Sequence, residues 1–382
     1  MVQRFRCRWL GEAGGMALKA RRTVYGALIL ATCAPLEPTE WPTRELPVVE
    51  ILFDGDGAEE IENAYLVDRE YGAVLKKGGE RMRCYVSLHG GATRTYPKRS
   101  YRIVTIDDEY PPVKSGKWIY SSQYTDPSFC RYRLADYFFG RADMIRPRVR
   151  PVRLYIEGVY QGYYLETEAV DSFFLKRRRM PISSLYKAAG PDVRFTRRTG
   201  MVAEQAFEKK LPEDDRCFAD IDSLLRIIDQ GIGESTRSSL EALMDVWNAL
   251  DYYAVAHLIG HVDGMTNNIC LYYDPRIRKF VFIPWDLDLT FDVLPLPFFA
   301  ALNNDLFEKM ARVPSYRGYL VDRMRSLFDL DDALGVLDSL YGVTGPEACG
   351  GPYAGLRGVD CHDEIESIRR FLSTVDSVLV GF

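Results

Sequence analysis

From Leu46 the chain alternates apolar and polar residues in short runs. "LPVVEILFD" and "RMRCYVSL" have the pattern of strands with one buried face. The second leads through "HGGATRTYP" into "KRSYRIVTI", which predicts a hairpin with a long glycine-containing tip. "SFCRYRLADYFFG" has helical spacing instead, with Cys130, Leu134, Tyr137 and Phe138 on one side and Gly140 as a stop. "VRPVRLYIEGVYQGYYLETE" predicts two strands turning at Glu157 and Gly158. From Asp171 the pattern becomes helical, and "SLEALMDVWNALDYYAVAHLIG" is an apolar-striped segment suited to the centre of a lobe. It runs into "HVDGMTNN". Two strands follow, "ICLYYD" and "KFVFIPWDLDL", with "PRIR" between them, and "DLFEKMARV", "YRGYLVDRMRSLF" and "IESIRRFLSTV" predict closing helices. The expected class is α+β, with a β-rich front lobe over residues 46–170 and a helical back lobe over 171–330. Residues 331–382 form a helical extension.

At 382 residues the chain exceeds the usual size of one compact unit, so two lobes or two small domains are expected. A net charge of −5 argues against nucleic acid as a partner, which favours a basic face. The basic run "LKRRRM" reads as a solvated helix end. Four dispersed histidines, with neither HExxH nor Cys-x-x-Cys, argue against a zinc site. Cys349 and Cys361 are close enough in sequence to pair in an oxidising compartment, which sequence does not decide.

The N-terminal 33 residues read as an address. Lys19, Arg21 and Arg22 precede an apolar run from Val24 to Ala31, too short to span a bilayer but suited to a signal peptide. "LATC" is a loose lipobox that would place a lipid anchor on Cys33. Translation starting at Met16 and an uncleaved amphipathic helix are the competing readings. "APLEPTEWPTRE", ending at Glu45, reads as a tether.

The chemistry concentrates in two places. Asp263 and Asn268 stand five apart in a loop after the long helix, and the hairpin returns Asp286 and Asp288 to the same neighbourhood. On a continuous strand Asp286 and Asp288 share one face, with Trp285, Leu287 and Leu289 on the other. Carboxylates so close repel unless a cation or proton lies between them. An aspartate to receive a hydroxyl proton, with an Asn and an Asp to hold Mg²⁺, is the inventory of phosphoryl transfer, and "HVDGMTNN" has the H-x-D-x4-N spacing of a kinase catalytic loop. The bland reading is a helix-capping Asp263 and a turn-forming Asn268.

In order, "HGGATRTYPKRSYRI", "DPSFCRYRLA", "VRLYIEGVYQGYYLETEAVD", "HVDGMTNNICLYYD" and "FVFIPWDLDLTFD" resemble the blocks of the spore-coat protein H (CotH) family of atypical protein kinases, over residues from about 46 to 330. The resemblance implies a two-lobed kinase-like fold using ATP and Mg²⁺ or Mn²⁺. It makes Asp263 catalytic and Asp286, Asn268 and Asp288 metal ligands. It assigns Lys98 to phosphate oxygens and Arg102 a lesser share, with Gly90 and Gly91 offering backbone N–H groups. Glu168 falls at the hinge and is counted with the nucleotide-binding residues, and Arg131 lies on the first-lobe helix. The chain departs from the family at the "HGGAT" tip, at Tyr132 and His261 (where asparagine is common), and at Glu157 in the turn. The implied activity is transfer of the ATP γ-phosphoryl group to Ser or Thr of a surface or secreted protein. A kinase-like scaffold or adhesin with weak catalysis is the rival, and a metal-dependent hydrolase lacks a nucleophile near the acids. Trp285 is better suited to packing under the strand than to stacking on a base.

Overall fold

A computed structural model describes residues 45–107, 113–190, 193–195, 202–233, 235–291, 304–355 and 358–381. The expectations for Cys33, for the signal segment and for nearly all of the tether fall outside them.

Seven strands close into a barrel in the order β1-β2-β3-β4-β5-β7-β6. They are β1 Val48–Phe53, β2 Tyr71–Lys77, β3 Glu80–His89, β4 Ser100–Asp107, β5 Val113–Ser121, β6 Val149–Ile156 and β7 Val159–Glu168. Neighbours pair antiparallel except at the seam, where β1 runs parallel to β6 with Val48 opposite Arg153. Alternation sends Val49, Ile51, Leu75, Val86, Ile103 and Leu154 into a closed apolar interior. Glu166 is buried with it and accepts hydrogen bonds from Tyr120 Oη and Lys77 Nζ, each at 2.5 Å. A short helix, α1 (Gly57–Asn63), links β1 to β2, and α2 (Arg131–Arg141) links β5 to β6. Helix α2 runs one residue past Gly140, whose lack of a side chain lets the Arg146 guanidinium approach; an added Cβ would lie 2.8 Å from it.

Beyond β7 the chain is mainly helical: α3 (Ser172–Arg177), α4 (Ala203–Ala206), α5 (Ala219–Gln230), α6 (Arg237–Leu243), α7 (Val246–Leu258), α8 (Asp305–Ala311), α9 (Pro314–Leu327), α10 (Leu330–Gly350) and α11 (Cys361–Val380). A four-stranded sheet, β11-β10-β8-β9, contains the expected hairpin, while its other two strands correct the helical reading. Its hairpin is β10 (Cys270–Asp274) and β11 (Lys279–Phe282), joined by β8 (Leu185–Ala188) and β9 (Phe207–Leu211). Four residues of "LYKA" are too few for a period to show. Helix α7 is buried on nearly every side. Asp245 caps its start by accepting from the Trp247 and Asn248 amides at 3.2 Å. Asn248 Oδ1 in turn accepts from the Phe282 amide at 2.6 Å, tying α7 to the end of β11. Cys349 and Cys361 form a disulfide between α10 and α11. Glu347 of α10 accepts from Arg153 Nε at 2.6 Å and also from Tyr160 Oη, so the extension is fastened to the barrel. No helix of the described residues is long and apolar enough to cross a membrane.

Candidate functional site

Two loops meet at the end of α7. The first leaves α7 through Gly260, passes a fully buried His261 and closes a single 3-10 turn at Asp263–Met265. The Asp263 carbonyl accepts from the amides of Asn267 and Asn268, both at 2.8 Å, and its Oδ2 accepts from the side-chain amides of Asn267 at 3.2 Å and Asn268 at 2.7 Å. Gly264 is required here, because a Cβ would lie 2.1 Å from the His261 ring and 2.7 Å from Tyr252 Oη. Burial is the largest influence on the Asp263 carboxyl and raises its pKa; the Asn267 amide opposes that rise and the Asp288 charge adds to it.

The second loop follows β11. The strand ends at Phe282, so Asp286 and Asp288 are not on a strand, contrary to the alternation expected for "PWDLDL". Pro284 has no N–H to continue the ladder. Asp286 then takes φ +57 and Phe291 φ +60, left-handed conformations costing about 1 kcal/mol or more each for a side chain with a Cβ. The two loops meet nonetheless. Asn268 Nδ2, already on Asp263, also donates to the Asp286 carbonyl at 3.3 Å, so one amide joins the loops and leaves Oδ1 as its ligand atom. Thr125 Oγ1 donates to Asp288 Oδ2 at 2.7 Å, bringing in the segment after β5.

The Asp286 carboxyl is raised well above the usual aspartate range by desolvation first, then by the charges of Asp288 and Asp263. Its side chain is nonetheless open to solvent. We therefore give the greater weight to the neighbouring charges. Three mutually repelling carboxylates and a carboxamide oxygen are hard ligands of the kind Mg²⁺ and Mn²⁺ take, although the three carboxylates do not all lie within 4.8 Å of one another, and an ion would have to draw them together.

The remaining expected residues divide. Lys98 lies before β4, fully buried. Its ammonium donates to the Tyr163 carbonyl at 2.5 Å and lies 4.6 and 4.7 Å from the Phe129 and Tyr164 rings. Burial lowers it to about 7, and the one charge opposing that shift is Glu347 of α10, not an acid of the site. Lys98 lines a cavity with Tyr124, Asp126 and Tyr353. Arg102 is held by Ser87 at 3.0 Å and by Asp68 at 3.3 Å. Glu168 is clamped between Arg177 at 2.7 Å and Arg178 at 2.8 Å, and its Oε2 accepts from the Arg148 amide. It joins the lobes. Gly90 and Gly91 are exposed at the β3–β4 tip, which Arg94 pins by donating to the Gly90 carbonyl at 2.8 Å.

The lysine beside the acids is Lys187 of β8. Its ammonium sits 3.6 Å above the Trp285 ring. Burial lowers its pKa, and Asp286 is among the charges that oppose the shift. Lys187 also acts on His89 at the root of the glycine tip. Trp285 packs with the Val170, Phe174 and Leu185 cluster and carries the lysine. Tyr132 lies under the loop; burial and then the Asp286 charge push its phenol well above the ordinary value. Sequence reasoning missed Lys187 and Thr125, the first hidden in a four-residue strand and the second in an unpatterned connection.

A β-barrel lobe and a helical lobe, with paired acids and an Asp–Asn turn at their meeting point, define a kinase-like protein. The family model described as CotH kinase protein matches residues 86–329, and the chain belongs to that family. It is also similar to the inner spore coat protein H of Bacillus subtilis (strain 168), 24% identical over 308 residues, covering 75% of this chain and 83% of that protein.

Proposed function

We propose that the chain is a Mg²⁺- or Mn²⁺-dependent protein kinase that transfers the γ-phosphoryl group of ATP to a Ser or Thr hydroxyl of a secreted or surface protein. The observation that carries the reading is the Asn268 amide, which holds Asp263 and the Asp286 backbone together. Asp263 accepts the hydroxyl proton as the acceptor oxygen bonds to the γ-phosphorus and the bond to the β-phosphate oxygen breaks, releasing ADP. Asp286, Asp288 and Asn268 Oδ1 would hold the divalent ion, whose charge offsets that of the β- and γ-phosphates. Lys187 adds a cation beside them, and the tip at Gly90 and Gly91 offers backbone N–H groups. Positioning and electrostatics do most of the work. The disulfide and the spore-coat relative support an oxidising, extracytoplasmic setting, and a lipid anchor at Cys33 belongs to the same reading. Nucleic acid is not part of it.

Incubating the full chain with radiolabelled ATP, Mn²⁺ and acceptor protein should give label on Ser or Thr, lost in Asp286→Ala. Undiminished labelling in that variant overturns the assignment. The Lys98 ammonium, engaged by the Tyr163 carbonyl, favours a second reading, a kinase-like scaffold with little catalysis. Absence of both transfer and an ATP–Mn²⁺ thermal shift in the wild type would favour it.

A further inference from the structure

We propose that the C-terminal helix pair, which lies outside the family match, positions the acid loop: Glu364 of α11 orients Arg131, and Arg131 holds the Thr290 carbonyl and with it residues 286–291. The inference rests on the kinase reading only in taking the carboxylates of that loop as metal ligands. Arg131, the first residue of α2, is 1% exposed. Its Nε donates to Glu364 Oε1 at 3.0 Å, and Nη2 reaches the same oxygen. Its Nη1 donates to the carbonyl of Thr290, two residues after Asp288. Asp126 completes the setting, with Oδ1 3.7 Å from Nε and Oδ2 accepting from the Arg131 amide at 2.9 Å.

The loop needs an outside restraint. Non-glycine left-handed residues stand at both ends of it, Asp286 and Phe291, and such conformations persist where the surroundings over-determine them. Near its start the restraint is the Asn268 amide on the Asp286 carbonyl. Near its end, Thr290 Oγ1 turns back to the Leu287 carbonyl at 3.0 Å, and Arg131 takes the Thr290 carbonyl from outside. The Phe291 ring meets Phe371 of α11 edge-on at 5.6 Å. Helix α11 thus holds the loop both by charge and by packing.

The placement of Glu364 is itself fixed. It stands one turn beyond Cys361, which the disulfide fastens to α10, and Asp360 caps the helix by accepting from the His362 amide at 2.7 Å. A buried arginine between two carboxylates can serve a fold alone. Here its remaining arm ends on the backbone that presents Asp286 and Asp288, which is how an outer-shell group tunes a metal site.

The test uses the oxidised full-length chain and Glu364→Gln, which keeps the shape and removes the charge. Mn²⁺ binding with ADP is followed by calorimetry, and backbone hydrogen exchange is followed at residues 287–291. The expected result is roughly tenfold weaker Mn²⁺ binding and faster exchange at those amides, with the barrel strands as protected as in wild type. Glu364→Asp should recover part of the affinity. A glutamine variant that binds Mn²⁺ like wild type and protects 287–291 equally well overturns the proposal. So does a uniform loss of protection through both lobes, which marks a role in the fold alone. A wild type that binds no Mn²⁺ overturns the kinase reading instead, and exchange at 287–291 still decides whether Glu364 holds the loop.

Discussion

Replacing Asp286 by asparagine should stabilise the metal-free protein while abolishing its response to metal. The substitution is nearly isosteric, and asparagine tolerates the φ of +57 at least as well as aspartate. What it removes is charge. Charges within about 6 Å of a carboxyl act on it appreciably, and those of Asp288 and Asp263 both raise Asp286. At that distance two unit charges repel by about 0.7 kcal/mol at the dielectric of water and by about 3 kcal/mol at an effective dielectric of 20. Asp286 is open to solvent, so the lower figure governs. With Asp288 contributing a similar amount, relief on the order of 1–2 kcal/mol is expected, a rise of about 2–4 °C in Tm for a chain of this size. In the wild type, ADP with Mn²⁺ at a hundred times the dissociation constant should add about 2.7 kcal/mol. The variant should show no such addition. The assay is thermal unfolding with chelator and with Mn²⁺–ADP. The pH dependence follows the same logic. A folded-state carboxyl raised above its unfolded value favours folding while protonated, so that contribution is complete below the ordinary aspartate range and is lost as pH climbs through the raised value. Wild type in chelator should therefore lose stability with rising pH in this window more steeply than Asp286→Asn. A variant less stable than wild type in chelator, or one that keeps its metal shift, refutes the reasoning.

Other outcomes follow from single residues. Asp263→Ala should lower transfer by about 10²–10⁴-fold while the ATP–Mn²⁺ thermal shift persists, and both are read on one preparation. Lys187→Met should cost on the order of a hundredfold in kcat. Lys98→Met should leave the ATP KM unchanged and destabilise by about 1–3 kcal/mol, because the buried Tyr163 carbonyl loses its donor; a reversed pattern in parallel kinetics and unfolding would return the phosphate role to Lys98. Glu168→Gln should cost about 3–5 kcal/mol in denaturant unfolding, since the Arg177 and Arg178 guanidiniums lose the carboxylate between them. Burial acts to raise Glu168, but the Arg178 and Arg177 interactions and the Arg148 amide outweigh it and hold the pKa below the ordinary glutamate value. Its contribution should therefore be present above that value and disappear as pH falls through the lowered one.

The hairpins and helices were legible because alternation and helical spacing report directly on which face is buried. β3–β4, β6–β7 and β10–β11 all appear where those patterns fall. The meeting of the two acid-bearing loops was legible too, though through an incorrect local geometry. A turn back to the same place was readable, but the left-handed break after Pro284 was not. Lys98 looked like a strand residue because it adjoins "RSYRI", yet the strand begins two residues later and the ammonium is buried against the Phe129 and Tyr164 rings. Lys187 carried no signal, since a buried four-residue strand has no period to read. The β1–β6 seam joins residues about a hundred positions apart, and no local pattern records such a pairing.

That seam bears on how the protein can be cut. A fragment restricted to residues 86–329 would lack β1, β2 and most of β3, so the ring would open into a curved sheet with two raw margins. Ile103 and Val152, dry in the intact molecule, would meet water, and the unpaired margins would recruit other chains. A portion that keeps the ring closed must include β1 at one end; on the tail side, the helix that carries Glu347 is fastened to the same ring. The homology boundary falls inside a single folding unit.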